Sequence, residues 1–171
     1  MPEDRHYHGL FKIRSISSNT TSALLGSREM GKVNMNRRHQ REISQQYADK
    51  FRTKIVSLDD LIGSLSGGNQ QKVVISRALS TRPKVVILDE PTRGIDAAAR
   101  SDVYGIIRQL KEEGVAVLMV SSDIEEVVEL ADRAITIFQG RINGEFSHDE
   151  ISQDALTSAS FGIGHERVVA K

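Results

Sequence analysis

Residues 65–71 read LSGGNQQ, and residues 85–92 read VVILDEPT. The first stretch places a serine and two glycines at a helix start, where exposed backbone N–H groups can approach an anion closely. The second is a continuous apolar run that ends in two acids, as expected of a parallel strand covered on both faces. Ligands bind at the carboxyl edge of such sheets. The two stretches therefore predict an α/β fold that handles a bound anion at one edge.

The composition bounds the class of protein. The chain has 171 residues, 39% of them hydrophobic and 27% charged, which is typical of one soluble globular domain. It has no cysteine, so disulfides and thiolate metal sites are excluded. Lys+Arg and Asp+Glu both number 23, so no net charge points to nucleic acid. No signal peptide opens the chain, and its apolar runs are too short to span a bilayer, so a membrane role would be peripheral.

Helix and strand patterns alternate from residue 65 onward. Helices are predicted over residues 66–79 and 97–113. A third helix is predicted to begin with a capping box of Ser122 and Glu125, and a weak fourth helix is predicted over 149–159. Strands are predicted over residues 85–88, 115–120, 134–138 and 141–146, with Gly114 ending a helix and turns at Gly140 and Gly144. Because successive strands are separated by helices, we expect right-handed crossovers and a parallel sheet.

The residues before position 60 carry a different pattern. The stretch 34–54 is strongly charged, and Ile43, Tyr47 and Phe51 stand four apart on one predicted helical face. This pattern favours a small helical subdomain rather than a part of the sheet. We expect three regions: residues 1–60 with the helical subdomain, 61–146 with the parallel α/β core, and 147–171 with a C-terminal helix and a loose tail.

The two acids after the first strand are candidate reaction groups. Asp89 could hold the Mg²⁺ of a nucleotide, directly or through water. Glu90 could then polarise an attacking water as a general base. Taken alone, the pair also fits a polar strand exit, and the serine and glycines at 66–68 also fit a flexible capped loop. Their joint occurrence at this spacing favours nucleotide chemistry.

Three motifs carry a resemblance to a known family. LSGGNQQKV at 65–73, LDEPTRGID at 88–96 and VSS at 120–122 are similar to the ABC ATPase family. Within it they resemble the second nucleotide-binding half of importers of the ribose, galactoside or autoinducer type. The resemblance runs from residue 2 to about residue 162. It implies a partial ABC-type nucleotide-binding domain with a parallel sheet core and a small helical subdomain.

The resemblance implies roles for matching residues. The signature loop would grip the γ-phosphate of an ATP bound to the opposite half, through Leu65, Ser66, Gly67, Gly68, Asn69 and Gln70. Asp89 would be the Walker B acid that binds Mg²⁺, and Glu90 would be the catalytic glutamate. Asp96 falls in the D-loop at the dimer interface. Residues 3–5 fall in the Q-loop region, and residues 15–60 would dock on the permease.

The sequence departs from the family pattern in several places. Ser122 stands where most members have a switch histidine, which argues against hydrolysis in this half's own site. Asn69 replaces the glutamine of LSGGQ, a mild change that suits the same branch. Met1 falls roughly where the strand before the Q-loop should be ending, so we expect the P-loop, the adenine-stacking segment and several strands to be missing. Residues 26–32 match G-x4-G-K, but Val33 replaces the required Ser or Thr and no buried strand precedes them.

These departures lead to expectations for the isolated chain. With early strands missing, one apolar edge and one face of the sheet should be uncovered, so the chain should be marginally stable or should associate. Affinity for ATP in P-loop proteins comes mainly from the P-loop backbone and lysine around the phosphates. Alone, the chain is therefore expected to bind MgATP very weakly and to hydrolyse none.

Two hypotheses of function follow. The chain is either an ATP-binding component of a sugar-type importer, using ATP and Mg²⁺ when another half supplies a P-loop, or a non-catalytic remnant that keeps the dimer and permease-docking surfaces. The partners would be the other half, the membrane permease and, indirectly, a periplasmic binding protein, with the chain peripheral at the cytoplasmic face of the inner membrane. An ABC ATPase of DNA repair or translation is disfavoured by the neutral charge, so no nucleic acid is expected.

Overall fold

The computed structural model describes residues 9–27 and 36–163, which fall into two compact units divided between Val120 and Ser121. The first unit contains α1 (Ile16–Thr21), α2 (Arg37–Lys50), α3 (Gly67–Ser80), β1 (Val85–Asp89), α4 (Ala97–Glu112) and β2 (Ala116–Val120). The second contains α5 (Ile124–Leu130), β3 (Arg133–Phe138), β4 (Arg141–Ser147) and α6 (Gln153–Ser160). Short 3-10 turns cover Ser22–Leu24, Ile62–Ser64 and His148–Glu150. None of the helices among these residues is long and apolar enough to cross a membrane.

Helix α3 is the element around which the first unit is packed. It contacts α1, α2 and α4, and Ile75 on it is fully buried. Ser66 occupies the N-cap position, as the sequence predicts. The core beside α3 is formed by buried apolar residues from several segments, namely Leu10, Ile16, Leu58, Ile62, Val73 and Val74. The helix that carries the signature motif is therefore held by packing within its own unit.

A polar bracket ties α1 to α3. The Arg77 guanidinium donates from Nε to the backbone oxygen of Asn19 at 2.8 Å and from Nη2 to its Oδ1 at 2.9 Å. Asn19 is itself fully buried, and its side-chain nitrogen donates to backbone oxygens around α1. Arg77 also lies over the Phe11 ring, 5.2 Å from its centroid. Burial disfavours the charged guanidinium and lowers the pKa of Arg77. The hydrogen bonds to Asn19 offset part of the solvation that the guanidinium loses on burial.

Helix α2 is confirmed, but its predicted apolar face is not the face that is most deeply buried. Phe51 is buried, whereas Ile43 and Tyr47 are only half-buried. The fully buried positions of the helix are Gln40, Ser44 and Ala48. Gln40 Nε2 donates to Thr21 Oγ1 at 3.1 Å, so this face lies against α1 through small and polar side chains. Contacts with α1, and not the apolar stripe, therefore decide which face of α2 is buried.

Strands β1 and β2 form a parallel pair that is connected through α4. The register runs from Val85 opposite Ala116 to Asp89 opposite Val120. Gly114, with a φ of 76°, follows the end of α4 as predicted. This mixture of helices with a parallel strand pair confirms the expected α/β class. The boundaries of the three predicted regions remain predictions.

The two faces of this strand pair differ in burial. Val86 and Leu88 on one face are buried, and α4 packs against β2. The other face carries large apolar residues, each more than half exposed: Val85, Ile87, Leu118 and Val120. A parallel strand that is apolar on both sides normally has a cover on both sides. The expected uncovered apolar face is therefore present within the first unit.

Strands β3 and β4 pair antiparallel. The expectation of parallel pairing applies to strands that are separated by helices, and no helix lies between these two. They are joined by a two-residue turn in which Gln139 and Gly140 both have positive φ, the backbone that a tight hairpin requires. The turn predicted at Gly140 is confirmed. Gly144 lies inside β4 and not in a turn. A Cβ at this position would stand 2.7 Å from the Phe146 ring, which explains why the residue is a glycine.

The N-terminus of α5 is capped by a different residue from the one predicted. Asp123 Oδ1 accepts hydrogen bonds from the backbone N–H groups of Glu125 at 3.1 Å and Glu126 at 3.4 Å. The predicted capping box of Ser122 with Glu125 is wrong by one residue. Because the helix begins at Ile124, Asp123 is the residue that occupies the N-cap position.

Candidate functional site

The carboxyl end of β1 is built as a polar turn. Asp89 is the last residue of the strand and is half-buried. Glu90 follows with a φ of 46°, and its backbone N–H donates to Val120 O at 2.8 Å. A left-handed backbone is unfavourable for a residue with a Cβ, and such residues are concentrated at functional turns. The chain therefore turns sharply at Glu90 while the last hydrogen bond to β2 is still made.

The signature segment is tied directly to this turn. The Gln71 side chain on α3 donates from Nε2 to the backbone oxygen of Pro91. Both Gln71 and Pro91 are buried. The structure therefore brings residues 65–71 and residues 85–92 together in one unit. The spacing of the motifs did not reveal this contact, since Gln71 reads as a polar helix residue.

Ser66 is held by Asn69 and does not cap its helix. The Ser66 side chain makes no capping hydrogen bond, although its extended backbone occupies the N-cap position. Asn69 Nδ2 donates to Ser66 Oγ at 3.0 Å, and Asn69 Oδ1 accepts from the backbone N–H of Lys54 at 3.0 Å. The Lys54 N–H requires an acceptor, which fixes the orientation of the amide. Ser66 must then accept from Asn69, and its own hydroxyl hydrogen is left to be donated elsewhere.

The remaining signature residues are packed around this serine. Leu65 packs against the apolar cluster beside α3, and Gly68 is buried in the first turn of the helix. Gln70 Nε2 donates to Leu65 O at 2.9 Å. Gln70 Oε1 is buried and has no hydrogen-bond partner among the residues that the structure describes. In the signature turn, Ser66 is therefore exposed, whereas Gly68 and Gln70 beside it are buried.

Asp96 begins α4 as its N-cap. Its Oδ1 accepts from the backbone N–H of Ala99 at 2.9 Å, and its side chain is exposed. Gly94 precedes it with a φ of 69°, in the turn that leads away from β1. Asp96 therefore has a structural role in the helix and still faces outward.

Ser122 is described within the second unit. It is exposed and precedes the Asp123 cap of α5. Its neighbour Ser121, to which the motif gave no separate role, donates to Glu126 Oε2 at 2.5 Å and accepts from the backbone N–H of Asp123 at 3.0 Å. Glu126 is fully buried. The buried carboxylate fixes the turn before α5, and no local sequence pattern would have indicated it.

The donor set at the end of β1 fits a Mg²⁺ ion that is shared with phosphates. Within residues 9–27 and 36–163, no group of three or more Asp, Glu, His or Cys side chains is placed to hold a metal by itself. Mg²⁺ is commonly bound by one or two carboxylates together with water and substrate phosphates. Asp89, half-buried at the strand end, provides one such carboxylate. These residues suit a metal that arrives with a nucleotide.

Parts of two sequence motifs lie outside the described residues. Residues 3–5 of the Q-loop region are among them, and so are residues 28–32 of the G-x4-G-K match. Gly26, the described start of that match, follows the 3-10 turn Ser22–Leu24 and no strand. A phosphate-binding P-loop connects a strand to a helix. The described part of the match therefore lacks that context.

Comparison with known proteins identifies a family and a branch. The family model for ABC transporters matches residues 5–93. The chain is 40% identical over 162 residues to the xylose import ATP-binding protein of Moorella thermoacetica and 41% identical over 163 residues to a ribose import ATP-binding protein of Streptomyces coelicolor. Each alignment covers 95% of this chain and 32% of the relative. The chain thus spans about a third of the length of the curated relatives it matches.

Solved structures show the same fold. An ATP-binding cassette of an ABC transporter superposes with a TM-score of 0.72 and 23% identity, over 86% of this chain and 63% of that chain. A dimeric ATP-binding cassette in a post-hydrolysis state, bound to ADP and phosphate, gives a TM-score of 0.66 and 22% identity, over 81% and 59%. At these identities the likeness establishes the fold and nothing more.

Proposed function

This chain belongs to the ABC transporter family, and from that premise we propose that it is part of an ATP-binding component of a sugar importer. The two relatives described above are named as xylose and ribose import proteins, and both align along almost the whole chain. The aligned stretch covers 95% of the chain and so includes the signature and Walker B segments. The proposal places the chain in the second nucleotide-binding half, within its C-terminal part.

The observation that carries this proposal is the state of Ser66. Asn69 donates to the serine oxygen, so the serine hydrogen can be given to a phosphate oxygen. The hydroxyl stands at the N-terminus of α3, where the helix dipole favours negative charge. The signature residues Leu65, Ser66, Gly67, Gly68, Asn69 and Gln70 would contact the γ-phosphate of an ATP held by the other half. The chain would thus complete a shared site.

The carboxylates at the end of β1 would serve the nucleotide bound on this half. Asp89 would hold Mg²⁺, which neutralises charge on the phosphates when it is bound. Glu90 lies at the sharp turn after the strand and would face an attacking water. Ser122 replaces the switch histidine, so we propose little or no hydrolysis in this second site. Asp96 would contact the other half at the dimer interface.

The proposed partners follow from the same assignment. A half with an intact P-loop would bind the ATP that Ser66 contacts. Membrane permease subunits would dock on residues 15–60, and a periplasmic binding protein would deliver the sugar without contacting this chain. The working place would be the cytoplasmic face of the membrane, with the chain peripheral. We propose three regions for these roles: a helical subdomain in residues 1–60, the α/β core in 61–146, and a C-terminal helix and tail in 147–171. No nucleic acid would bind to the chain.

A second candidate is a binding module without turnover. It is favoured by the exposed apolar face of the β1–β2 pair, since such a face promotes association whether or not ATP is used. Such a chain would keep its dimer and permease-docking surfaces. It would bind the other half and leave the ATPase rate unchanged.

The proposal is tested by mixing the full chain with the first half of a sugar-import relative, in which the P-loop is intact. We expect ATPase activity to rise above the rate of that half alone and to saturate with added chain. Ser66→Arg should abolish the rise, because it places bulk and positive charge where the γ-phosphate would lie. Ser64→Arg is the matched control, since Ser64 is an exposed serine two residues away. Association without any rise would instead support the binding module.

A further inference from the structure

Gly68 occupies a position that disfavours glycine unless something requires it. It is the second residue of α3, and glycine lowers the stability of a helix relative to alanine. It is also buried. The backbone here has ordinary helical geometry, so no positive φ explains the residue. The requirement must come from a neighbour.

That neighbour is Ala99 in the first turn of α4. A Cβ built on Gly68 would stand 2.3 Å from Ala99 Cβ and 3.5 Å from Ala99 Cα. Two methyl carbons cannot approach to 2.3 Å, so the two helices lie closer here than any side chain at position 68 would permit. The backbone N–H of Ala99 donates to Asp96 Oδ1. Gly68 therefore rests on the same residue that Asp96 caps.

Two further contacts continue the joint. Lys72, one turn after Gly68, forms an ion pair with Asp102 of α4 at 2.7 Å, and only 6% of the Lys72 side chain is exposed. Gln71 donates to the Pro91 backbone oxygen between β1 and α4. Gly68 and Lys72 are four residues apart on α3, and Ala99 and Asp102 are three apart on α4. The two helices are thus joined at successive turns.

We propose that Gly68 is a positioning residue that fixes the spacing between the signature turn and the start of α4, and so between Ser66 and Asp96. The inference rests on the proposed function, because these two residues would face the other half together. A fixed spacing means that the signature turn and the D-loop end of α4 are presented as one surface. If α4 moves, the Ser66 hydroxyl would then move with it.

A different role for Gly68 makes a different prediction. If glycine is needed only so that its backbone can approach a phosphate, the residue at position 99 is irrelevant. If glycine is needed to lie on Ala99, moving the methyl group across the contact restores the geometry. The double variant Gly68→Ala/Ala99→Gly separates the two roles. The double variant places an alanine on α3 and a glycine on α4, which reverses the parental arrangement. The summed helix propensity of the two positions is therefore nearly unchanged.

The direct test is a distance measurement on the full chain, without any partner. The sequence has no cysteine, so nitroxide labels at Ser64→Cys and Ala98→Cys, both exposed positions, report the spacing across the joint. We expect one narrow distance distribution in the parent. Gly68→Ala should shift or broaden it by roughly 1–2 Å, which is the separation that would relieve the clash. The double variant should return it to the parental distribution. Gly63→Ala is the control, since its Cβ would meet nothing within 4 Å.

The same variants are then compared in the mixing assay. Gly68→Ala should reduce the ATPase rise about tenfold or more, as expected of a displacement near 1 Å at a reacting site. The double variant should recover most of the rise. An unshifted distance in Gly68→Ala, or a shifted one in the double variant, would overturn the contact. Restored distance without a restored rise would assign Gly68 to the phosphate instead. If the parent gives no rise, the proposed function fails, and the distances still decide the contact.

Discussion

The helical surroundings of α3 and the β1–β2 strand pair lie in the same unit but differ in completeness. Helix α3 is covered on several sides and is tied to its neighbours through Asn19, Tyr47 and Asp102. The strand pair has one buried face and one apolar face that is exposed. The geometry of the signature turn is therefore set within the unit, whereas the strand pair lacks a second cover within that unit. The contrast separates what this chain can do alone from what requires a partner.

The largest effect should come from truncating the buried side of β1. Leu88 is fully buried, so Leu88→Ala should lower the free energy of unfolding by about 2–5 kcal/mol. Ile87, its neighbour on the exposed face, is the matched control. Ile87→Ala should change the free energy by no more than about 0.5 kcal/mol. Urea unfolding of both variants checks this. Equal losses would mean that the second face is also covered, and the contrast between the two faces would disappear.

The next effect concerns the signature side of the contrast. Asn69→Asp keeps an acceptor for the Lys54 N–H but can no longer donate to Ser66, so the serine would turn its hydrogen toward the new carboxylate. The ATPase rise on mixing should fall about tenfold or more, as expected for loss of one donor to a developing charge. Ser64→Asp adds the same charge nearby and should have a smaller effect. An unchanged rise in Asn69→Asp would show that Ser66 does not act as a donor.

A smaller effect is expected at the strand end. A working general base contributes roughly 10²–10⁴-fold to a rate. Since Ser122 replaces the switch histidine, Glu90→Gln in an assembled transporter should lower total ATPase by less than about twofold. The matching change in the other half should remove most of the activity. Equal losses from the two changes would show that this half's site also hydrolyses ATP.

The smallest effect is a pH-dependent ion pair between α2 and the end of α4. Lys50 Nζ lies 2.8 Å from Glu113 Oε2, and this hydrogen bond holds the pKa of Glu113 below its ordinary value. A lowered carboxyl pKa stabilises the fold above the unfolded pKa, and the gain is lost as the pH falls through the folded pKa. Both groups are partly exposed, so Glu113→Gln should cost at most a few tenths of a kcal/mol at pH 7.

The control for this pair is the exposed neighbour Glu112. Glu112→Gln should leave the unfolding free energy at pH 7 unchanged within error. The difference between Glu113→Gln and the parent should shrink as the pH falls below the ordinary glutamate pKa, and it should vanish once the carboxyl is protonated in both the folded and the unfolded state. A difference that does not shrink on acidification would assign the effect to packing and not to charge.

Local features of the fold could be predicted from the sequence. The helices α3 and α4 were predicted to within one residue at each end, because Ser66 and Gly114 mark their boundaries in the chain itself. The strand β1 was also found, since an apolar run that ends in acids has few other interpretations. These features depend on backbone preferences and periodicity, which are properties of short stretches.

Features that depend on distant residues were not predictable. The buried face of α2 is set by its packing on α1, where Gln40 meets Thr21. By contrast, the antiparallel pairing of β3 with β4 follows from a local feature, the tight turn at Gln139 and Gly140. At the candidate site, the motifs identified Ser66 and Asp89, but the tie from Gln71 to Pro91 requires the folded chain. Whether Ser66 is a donor depends on Lys54, twelve positions earlier.

We propose that this chain contributes its signature turn to a shared site and, taken alone, binds MgATP only weakly. Calorimetric titration of MgATP into the isolated chain tests it most directly. We expect a dissociation constant weaker than about 1 mM, which corresponds to a binding free energy no more favourable than about −4 kcal/mol. Binding in the low micromolar range or tighter would contradict the account, and its loss in Lys32→Ala would assign the pocket to residues 26–32.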